Sequence, residues 1–461
     1  MCRPRSPLVA IVVRRTLGVA LALATLAPRT LTGQSPAPAT AEPFRITPAV
    51  TLFGEVRSRS ELDRPGGALA ADVFTYLRSR LAVRVQAAPG ARIVLQVQDS
   101  RVLGAEGSTA ATALAANVFD LHQGYLEIAT PWSSRNLALR AGRQEIALGN
   151  ERLVGVANWT NIGRAFDGAR VLLTPRDAAV GNERWSATTF AAVVDEQGRR
   201  FGPPTSTTGA STKGIADHLI AGLFASRRVR GGATLDGTLV YDGPARYRSY
   251  DAANRTTFDA RIRVPRIAEL PLRLELEGAY QTGRQSYVLP AGSAQAQSGQ
   301  SVRAWLAGAR IGNAATTSPS PVVTLGVDLL SGDATPTDDR YTAFNTLYGT
   351  NHPFYGLMDV IGDPAATTKE RGLSDLFVTG ASPVTKTLSL RGELHRFTLT
   401  SGDDRSLGWE GDALVPVRVN SVTTVDFGYG IFRAGSGAAS VGLGSEGASR
   451  HWGYLQAAVA F

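Results

Sequence analysis

Cysteine is almost absent from this chain, since Cys2 is the only one among 461 residues. Cys2 stands ahead of an apolar N-terminal segment, so the rest of the chain has no thiol with which to form a disulfide or a thiolate metal site. A chain that cannot mispair thiols suits passage through an oxidising compartment such as the periplasm.

Lysine is also scarce: Lys213, Lys369 and Lys386 are the only lysines among 48 basic residues. The positive groups are therefore nearly all guanidinium groups, whose planar forks match carboxylate and phosphate. A GC-rich genome would by itself produce this arginine bias. The formal net charge is +9, and five of those charges belong to arginines within residues 1–33, which leaves +4 for the remainder.

Long apolar runs are missing beyond the N-terminus. A membrane-spanning helix needs roughly 20 consecutive apolar residues, so a helical membrane protein is excluded. Arg3, Arg5, Arg14 and Arg15 precede a short apolar core at residues 16–27. This pattern predicts a secretory signal peptide at residues 1–33, with cleavage expected between residues 27 and 41.

No grouping of catalytic or metal-binding residues emerges from the spacing. The five histidines are scattered, and a metal site would need them at ligand spacing. Gly442, Gly444 and Gly447 satisfy a dinucleotide-binding glycine pattern, but no βαβ unit surrounds them. Acidic loop pairs at 338–339 and 403–404 could hold Ca²⁺, although solvated loops are the favoured interpretation. We therefore expect no enzyme, no cofactor, no metal and no nucleic-acid partner.

Strict alternation is the strongest positive signal. Within residues 73–86 the odd positions are mainly apolar, whereas the even positions include Tyr76, Arg78, Arg80 and Arg84. Successive side chains of a β-strand point to opposite faces. One face is thus apolar and the other carries arginine, which suits a wall between lipid and water.

Similar short runs recur along the chain, for example at residues 258–264, 272–281 and 388–395. We predict a flexible linker at 34–45 and one all-β transmembrane antiparallel barrel at 46–461. The run count indicates about 18 strands, with 16 as the alternative. Short periplasmic turns and long extracellular loops are typical of outer-membrane barrels, and closure leaves no unpaired edge in lipid.

Two further features bear on barrel assembly and on the pore. The chain ends in an alternating strand with a terminal aromatic residue, Phe461, which resembles the signal read by the barrel-assembly machinery. The longest polar loop, residues 332–372, contains five aromatic residues. We expect this loop to form a constriction or lid.

The arginine faces are the one repeated candidate site. Arg57 and Arg59 on one predicted strand should project into the lumen beside Arg78, Arg80 and Arg84 on the next, with few acids nearby, which favours an anion-selective path. Arg140, Arg164, Arg170, Arg261, Arg263 and Arg391 add to this set. Beyond residue 250, where acids share the same faces, neutralising ion pairs are an equally good interpretation.

The sequence also resembles the alginate export family of outer-membrane barrels. The matching motifs are QGYLE at 123–127, GRQE at 142–145, GNERL at 149–153, WTN at 159–161, RAFDG at 164–168, SGD at 331–333, FNTLYGTNHPFYGLM at 344–358 and GYGIFRAG at 428–435. They occur in the family's order and span nearly the whole chain after the predicted signal.

The resemblance implies an 18-stranded barrel whose arginine-rich lumen passes a polyuronate, with Arg143, Arg152, Arg164 and Asp167 at the matching lumen positions. We therefore expect an outer-membrane channel, surrounded by lipid, that exports an acidic polysaccharide such as alginate. The alternative is a porin for uptake of small anions, and an enzyme or adhesin displayed on loops is a third hypothesis without sequence support.

Overall fold

A computed structural model describes residues 44–65, 71–104, 117–132, 135–175, 184–196, 199–200, 218–229, 231–244, 254–285, 299–314, 320–336 and 338–461. The predicted signal peptide and residues 34–43 of the predicted linker lie outside these ranges. Within them, no helix is both long and apolar enough to cross a membrane.

The described residues contain 21 strands in one sheet. In chain order they are β1 (Phe44–Thr47), β2 (Val50–Arg64), β3 (Asp72–Ala88), β4 (Ala91–Leu103), β5 (Asn117–Trp132), β6 (Arg135–Gln144), β7 (Phe166–Pro175), β8 (Arg184–Glu196), β9 (Arg199–Arg200), β10 (His218–Arg228), β11 (Thr234–Pro244), β12 (Asn254–Val264), β13 (Leu272–Gln285), β14 (Gln300–Asn313), β15 (Val322–Leu330), β16 (Arg340–Tyr341), β17 (Leu373–Pro383), β18 (Ser389–Thr398), β19 (Ser406–Arg418), β20 (Thr423–Ala434) and β21 (Ser449–Ala460).

Eighteen of these strands form a closed antiparallel barrel, which confirms the larger of the two predicted strand numbers. The short strands β1, β9 and β16 are additions to it. Each wall strand pairs with the next along the chain, and β2 pairs with β21 from Glu55↔Ala460 to Arg64↔His451. Closure satisfies the backbone groups that an open edge would leave unpaired in lipid.

The chain ends beside the first wall strand. The amide of Phe461 donates to the carbonyl of Gly54 at 3.1 Å, and the amide of Gly54 donates back at 2.8 Å. A Cβ on Gly54 would meet the Phe461 ring at 2.7 Å, so this close approach requires glycine. Recognition of the last strand by the assembly machinery stays a prediction.

The two faces of the wall have opposite character, as the alternation predicts. On β3, Val73 is 58% and Leu81 is 46% exposed on the outer surface, whereas Arg78 is 1% exposed and Ala82 is fully buried. The same parity rule holds on β12, β13, β18, β20 and β21, where the outward positions are apolar. The outer surface is therefore suited to hydrocarbon, and the polar groups point inward.

The sheet begins slightly before the predicted boundary. Strand β1 starts at Phe44 and pairs with β2 through Phe44↔Leu52 and Arg45↔Thr51. The last two residues of the predicted linker, 44 and 45, thus belong to a strand, because the backbone folds back onto β2.

Two long connections fold into the barrel rather than away from it. The first inner loop (residues 145–165) joins β6 to β7, and the second inner loop (residues 331–372) joins β15 to β17. The second contains β16 and a short helix, α1 (Pro364–Thr367). Its interior position agrees with the expectation that this loop narrows the pore.

A hydrophobic core fills the space between the inner loops and the wall. Phe344, Tyr355 and Leu357 of the second inner loop are each 1% exposed, and Ile146 and Val154 of the first are fully buried. All belong to one cluster with inward residues of the wall. Burial of each large apolar side chain contributes about 1.5–3 kcal/mol, so this core holds the loops inside.

The glycine pattern near residue 442 has a structural explanation. Helix α2 (Ala438–Val441) ends at Gly442, whose φ of +87° is left-handed. Glycine ends helices in this way at no steric cost.

Candidate functional site

The lumen face of β2 and β3 carries four buried arginines, which we call the arginine wall: Arg57, Arg59, Arg78 and Arg80. All four are at most 6% exposed. The register places Arg57 directly opposite Arg78 and Glu55 opposite Arg80. Like charges that face each other across a sheet repel, so the arginine wall needs acceptors from elsewhere.

Carboxylates supply part of this need. Arg78 Nη2 lies 2.6 Å from Glu55 Oε1, and Arg59 Nε lies 2.6 Å from Glu61 Oε1. Arg80 Nη1 lies farther, 3.4 Å, from Glu145 Oε1. Among the described residues, Arg57 has backbone carbonyls as its hydrogen-bond acceptors and no carboxylate.

Most of the remaining acceptors are main-chain carbonyls of residues 158–162 in the first inner loop, here called the carbonyl segment. Arg80 also donates to the side-chain oxygens of Gln98 at 2.5 Å and Asn158 at 3.1 Å. Arg57 donates to Asn158 O at 2.7 Å and to Thr160 O at 2.8 Å. Arg78 donates to the same two oxygens at 3.1 and 3.2 Å. These shared acceptors lie between two like charges and offset their repulsion.

The outer two arginines hold the ends of the same segment. Arg59 Nη1 donates to Trp159 O at 2.7 Å, and Arg80 Nη2 donates to Ile162 O at 3.0 Å. The Arg59 guanidinium also lies 3.7 Å from the centre of the Trp159 ring, and His352 stacks on Trp159 at 4.1 Å. The carbonyl segment is therefore fixed against the wall by both polar and aromatic contacts.

Glu145 begins the first inner loop and connects it to β5. His122 Nε2 lies 2.8 Å from Glu145 Oε1. Burial raises the pKa of this carboxyl, but the His122 hydrogen bond and the charge of Arg80 outweigh it and hold the pKa below its usual 4.5. Glu145 is thus an anion that helps to hold Arg80.

Arg152 of the first inner loop lies at the centre of a different network. Its guanidinium is 3.1 Å from Glu277 on β13 and 2.9 Å from Asp328 on β15. Arg310 on β14 also contacts Asp328, at 2.8 Å, and Arg152 lies over the Phe354 ring at 4.0 Å. This site is fully enclosed, so Arg152 is a structural anchor between a loop and the wall.

Arg164 joins the two inner loops to each other. It donates to Gly155 O at 3.2 Å in its own loop and to the carbonyl of Tyr348 in the second. Main-chain bonds run alongside, with Tyr348 N donating to Leu153 O at 3.0 Å and Thr350 N to Glu151 O at 2.8 Å. The two loops therefore form one connected body inside the barrel.

A second part of the lumen wall, three strands from β2 around the barrel, carries buried acids. Glu410 and Asp412 on β19 are buried, and their carboxylates accept from main-chain amides of the second inner loop: Met358 N at 3.0 Å and Leu357 N at 3.4 Å. His395 on β18 lies 3.0 Å from Asp375. We call Glu410 and Asp412 the acidic wall.

Three other predicted pore residues lie on the lumen face nearer the short-turn end. Arg84 lies 4.9 Å from the Phe53 ring, Arg140 is 2.7 Å from Glu127, and Arg170 donates to Thr188 Oγ1 at 2.9 Å. They lie outside the arginine wall, so the structure separates the predicted residues into several groups.

Arg143 and Asp167 stand at outward positions of β6 and β7, and Arg143 Nη2 also lies 3.7 Å from Asp120 on β5. The register pairs Arg143 with Asp167 and Leu139 with Val171, and Leu139 and Val171 are outward residues. Because every second residue shares a face, Arg143 and Asp167 have the outward parity, where they form an ion pair of 2.6 Å. The expectation carried over from the family motifs is corrected for these two residues.

Sequence reasoning missed several contributors. The carbonyl segment has no side-chain signature, because its acceptors are main-chain oxygens. Arg92 on β4 lies 2.5 Å from Glu127, and the alternation of Ile93 and Leu95 could have placed it on the lumen face. In the described part of the chain, no group of three or more His, Cys, Asp or Glu side chains is arranged to hold a metal ion.

Comparisons with known proteins agree with this architecture. A family model described as "Alginate export" matches residues 53–426. No curated protein matches the sequence at a significant level.

Solved structures share the fold at low identity. Acinetobacter baumannii OccAB1 is 11% identical with a TM-score of 0.59, over 93% of this chain and 100% of that one. Pseudomonas aeruginosa OccK8 (OprE) is 10% identical with a TM-score of 0.57, over 89% and 98%. The outer membrane protein opdK from Pseudomonas aeruginosa is 11% identical with a TM-score of 0.52, over 89% and 99%. Together, the family match and the closed barrel indicate a channel in the bacterial outer membrane.

Proposed function

We propose that this chain, which belongs to the alginate export family, passes anionic solutes through its arginine-rich lumen and that its cargo is an acidic polysaccharide leaving the cell. The family and the fold make it a transport protein of the bacterial outer membrane. The anionic cargo and the outward direction are the parts that we propose.

The observation that carries this proposal is the excess of arginine on one sector of the lumen. Strands β2 to β7 contribute seven inward arginines: Arg57, Arg59, Arg78, Arg80, Arg92, Arg140 and Arg170, with Arg84 as an eighth. The carboxylates that pair with them are Glu55, Glu61 and Glu127 of the same strands and Glu145 of the first inner loop. The excess of positive charge lowers the energy of an anion in the lumen and raises that of a cation.

Arginine also suits repeated binding and release. A polyuronate has one carboxylate on each sugar, and a guanidinium binds a carboxylate through two parallel hydrogen bonds. Along a row of arginines, each guanidinium releases one carboxylate of the polymer as it binds the next. Neither the guanidinium nor the carboxylate is then left unpaired. The channel needs no chemical step, because guided diffusion moves the polymer.

A second candidate is uptake of small anions, and one observation favours it. The inner loops form a hydrophobic core with the wall, and Phe344, Tyr355 and Leu357 are almost fully buried there. In this arrangement the inner loops narrow the lumen. A narrowed lumen admits a small anion more readily than a polymer. Export of a polymer would require the inner loops to move.

Planar-bilayer recordings test the proposal. Under a KCl gradient, the reversal potential should show preference for chloride over potassium, and a reversal potential with cation preference would contradict the anion model. Polyuronate added on the short-turn side should block the current in brief events at a concentration where an equally long neutral glucan does not. Steady currents insensitive to polyuronate, with anion preference retained, would favour the small-anion porin.

A further inference from the structure

We infer that the outer surface of β10 to β14 binds a phosphate-bearing lipid, with an acyl chain in an apolar groove and the phosphate between Arg284 and Arg303. We call these two residues the rim arginines. The site lies on the outside of the barrel, so the inference goes beyond the proposed function and does not depend on the identity of the cargo.

An apolar groove of about 590 Å³ opens on this part of the outer surface. Its floor is a row of small residues that lie opposite one another on neighbouring strands: Ala225, Gly237, Ala260 and Gly278. The next outward row toward the long loops is in the same register but consists of large, exposed side chains: Leu223, Leu239, Phe258 and Tyr280. Leu235 and Leu276 bound the other side of the floor, so the groove runs across four strands between two ridges.

The two glycines of the floor are not required by the packing of the protein itself. A Cβ on Gly237 would meet no atom within 4 Å, and one on Gly278 would come no closer than 4.0 Å to Leu306 O. Neither glycine has a left-handed backbone, and the pairing around them is regular, without a bulge. Glycine weakens the interior of a strand and, apart from bulges and bends, marks places where a ligand approaches the backbone. The floor therefore leaves room for another molecule.

The rim arginines lie beyond the ridge that faces the long loops. The register of β13 and β14 gives these outward pairs, successively nearer the long loops: Tyr280 and Trp305, Thr282 and Arg303, Arg284 and Ser301. The rim arginines are thus diagonal neighbours, about 7–8 Å apart at the backbone, and both are exposed. A phosphate that accepts from two guanidinium forks suits this separation.

The order of these residues along the strands matches the order of groups in a lipid. Tyr280 and Trp305 are exposed on the outer surface, and tyrosine and tryptophan concentrate at the level where hydrocarbon meets headgroups. The groove lies on the hydrocarbon side of this pair, and the rim arginines lie on the headgroup side. One amphiphilic molecule therefore reaches both.

The described part of the chain supplies no carboxylate to the rim arginines, neither of which takes part in an ion pair there. Asp339, whose carbonyl accepts from Ser301, has its carboxylate 3.8 Å from Arg340 instead. No Asp or Glu occupies an outward position of β10 to β14, and the sequence of residues 286–298 contains none. A second copy docked by the same face would bring arginine against arginine, whereas a lipid phosphate neutralises both.

The test titrates the full barrel in non-ionic detergent and measures lipid binding by native mass spectrometry. Dipalmitoyl phosphatidic acid carries both acyl chains and phosphate, dipalmitoylglycerol carries the chains alone, and inorganic phosphate, added as a competitor, has no chain. Phosphatidic acid should bind the wild type at least about tenfold more tightly than either of the others, because each of those engages half of the site.

Gly237→Leu tests the groove. It should weaken the binding of phosphatidic acid about tenfold, because the new side chain fills the floor. The matched control is Gly380→Leu on β17: Gly380 shares the outward parity of Leu376 and Val378, and a Cβ there also meets no atom within 4 Å, but it lies outside the groove. The control should change binding less than about twofold.

The double variant Arg284→Gln and Arg303→Gln tests the phosphate. It should bind phosphatidic acid no more tightly than dipalmitoylglycerol, because no guanidinium remains to distinguish them. The matched control is Arg64→Gln with Arg433→Gln, which removes two other exposed arginines of outward parity at the long-loop end of the wall. This control should retain the preference of the wild type.

Equal weakening by Gly237→Leu and Gly380→Leu, or an unchanged preference in the rim-arginine double variant, would overturn the site. Displacement of phosphatidic acid by an equal concentration of inorganic phosphate would show an ion site without a lipid and would also overturn it. A barrel dimer that Gly237→Leu disrupts, with lipid binding unchanged, would assign the groove to a second copy instead. If Gly237→Leu does not fold, as judged by the heat-modified gel shift of the barrel, Ala260→Leu is held to the same criterion.

Discussion

Two sectors of the lumen wall contain similar numbers of arginines but neutralise them in different ways. On β12 to β14, Arg263 lies opposite Glu275, which lies opposite Arg310, and Arg261 lies opposite Glu277. The sheet register itself alternates the charges there. On β2 and β3, Arg57 lies opposite Arg78, and a loop supplies the acceptors that Glu55 and Glu61 leave wanting. The number of arginines alone therefore does not define the field in a pore; their register does.

The comparison extends to the inner loops. The first inner loop presents carbonyls to the arginine wall, whereas the second presents amides to Glu410 and Asp412 of the acidic wall. Each loop thus presents the complementary end of the peptide dipole to the side chains that it covers. Neutral main chain thus adds to the carboxylates Glu55, Glu61 and Glu145 at the arginine wall, and it supplies donors to the acids of β19.

The largest expected effect concerns Arg152, which pairs with buried acids of β13 and β15. Arg152→Met should lower the free energy of unfolding by about 3–5 kcal/mol, because it leaves Glu277 and Asp328 buried with only Arg310 to pair them. The measurement is the urea dependence of folding in detergent. Arg266→Met, in a turn and bonded to the Glu269 carbonyl, is the control and should change stability little. Similar losses in the two variants would contradict the anchor role.

The second effect concerns the arginine wall and should appear in conductance rather than in stability. The double variant Arg57→Gln and Arg78→Gln removes charge-assisted hydrogen bonds of about 1.5–3 kcal/mol each to the carbonyl segment. The segment should then leave the wall and single-channel conductance should rise, while the barrel stays folded. Arg135→Gln with Arg396→Gln, two arginines of outward parity, is the control. An unchanged conductance in the first double variant would argue against a held segment.

A smaller effect should appear in ion selectivity. Arg84→Ala removes a partly exposed lumen charge, so the reversal potential under a KCl gradient should move measurably toward zero. Arg80→Ala removes a charge covered by Ile162 O and Gln98, and its direct effect on the reversal potential should be smaller. The opposite ranking would show that the covered arginines set the selectivity.

The smallest effect is a pH dependence at Glu145. The pKa of this carboxyl is lowered in the folded protein, so its contribution to stability is complete above the unfolded value near 4.5 and is lost as the pH falls through the folded pKa. The stability difference between wild type and Glu145→Gln should therefore shrink on acidification below about pH 4.5. A difference that stays constant from pH 7 to pH 3 would exclude this role.

Much of the fold follows from the sequence because the signal is strictly local. Alternation within residues 73–86 identifies a strand and both of its faces, and repetition of that pattern predicts the barrel and the number of strands. For the arginines beyond residue 250, the sequence left ion pairing as an equally good interpretation. The register places Glu275 between Arg263 and Arg310, as ion pairing requires.

The site was less predictable because it depends on contacts between distant segments. Arg57 and Asn158 are 101 positions apart, and nothing near either residue indicates their contact. Family motifs placed Arg143 and Asp167 in the lumen, but a motif does not state the parity of its residues within a strand. The separation of covered from accessible arginines required the positions of the inner loops.

The carbonyl segment contacts the arginine wall through main-chain oxygens, and this affects which substitutions the contact tolerates in evolution. Trp159 O, Thr160 O and Ile162 O are present whatever side chains stand at those positions, so substitutions there need not be matched by changes at Arg57, Arg59 or Arg80. Pairwise covariation between the segment and the strands should accordingly be weak. Insertions, deletions or a proline that alters the path of the backbone would instead be the changes that this part of the protein resists.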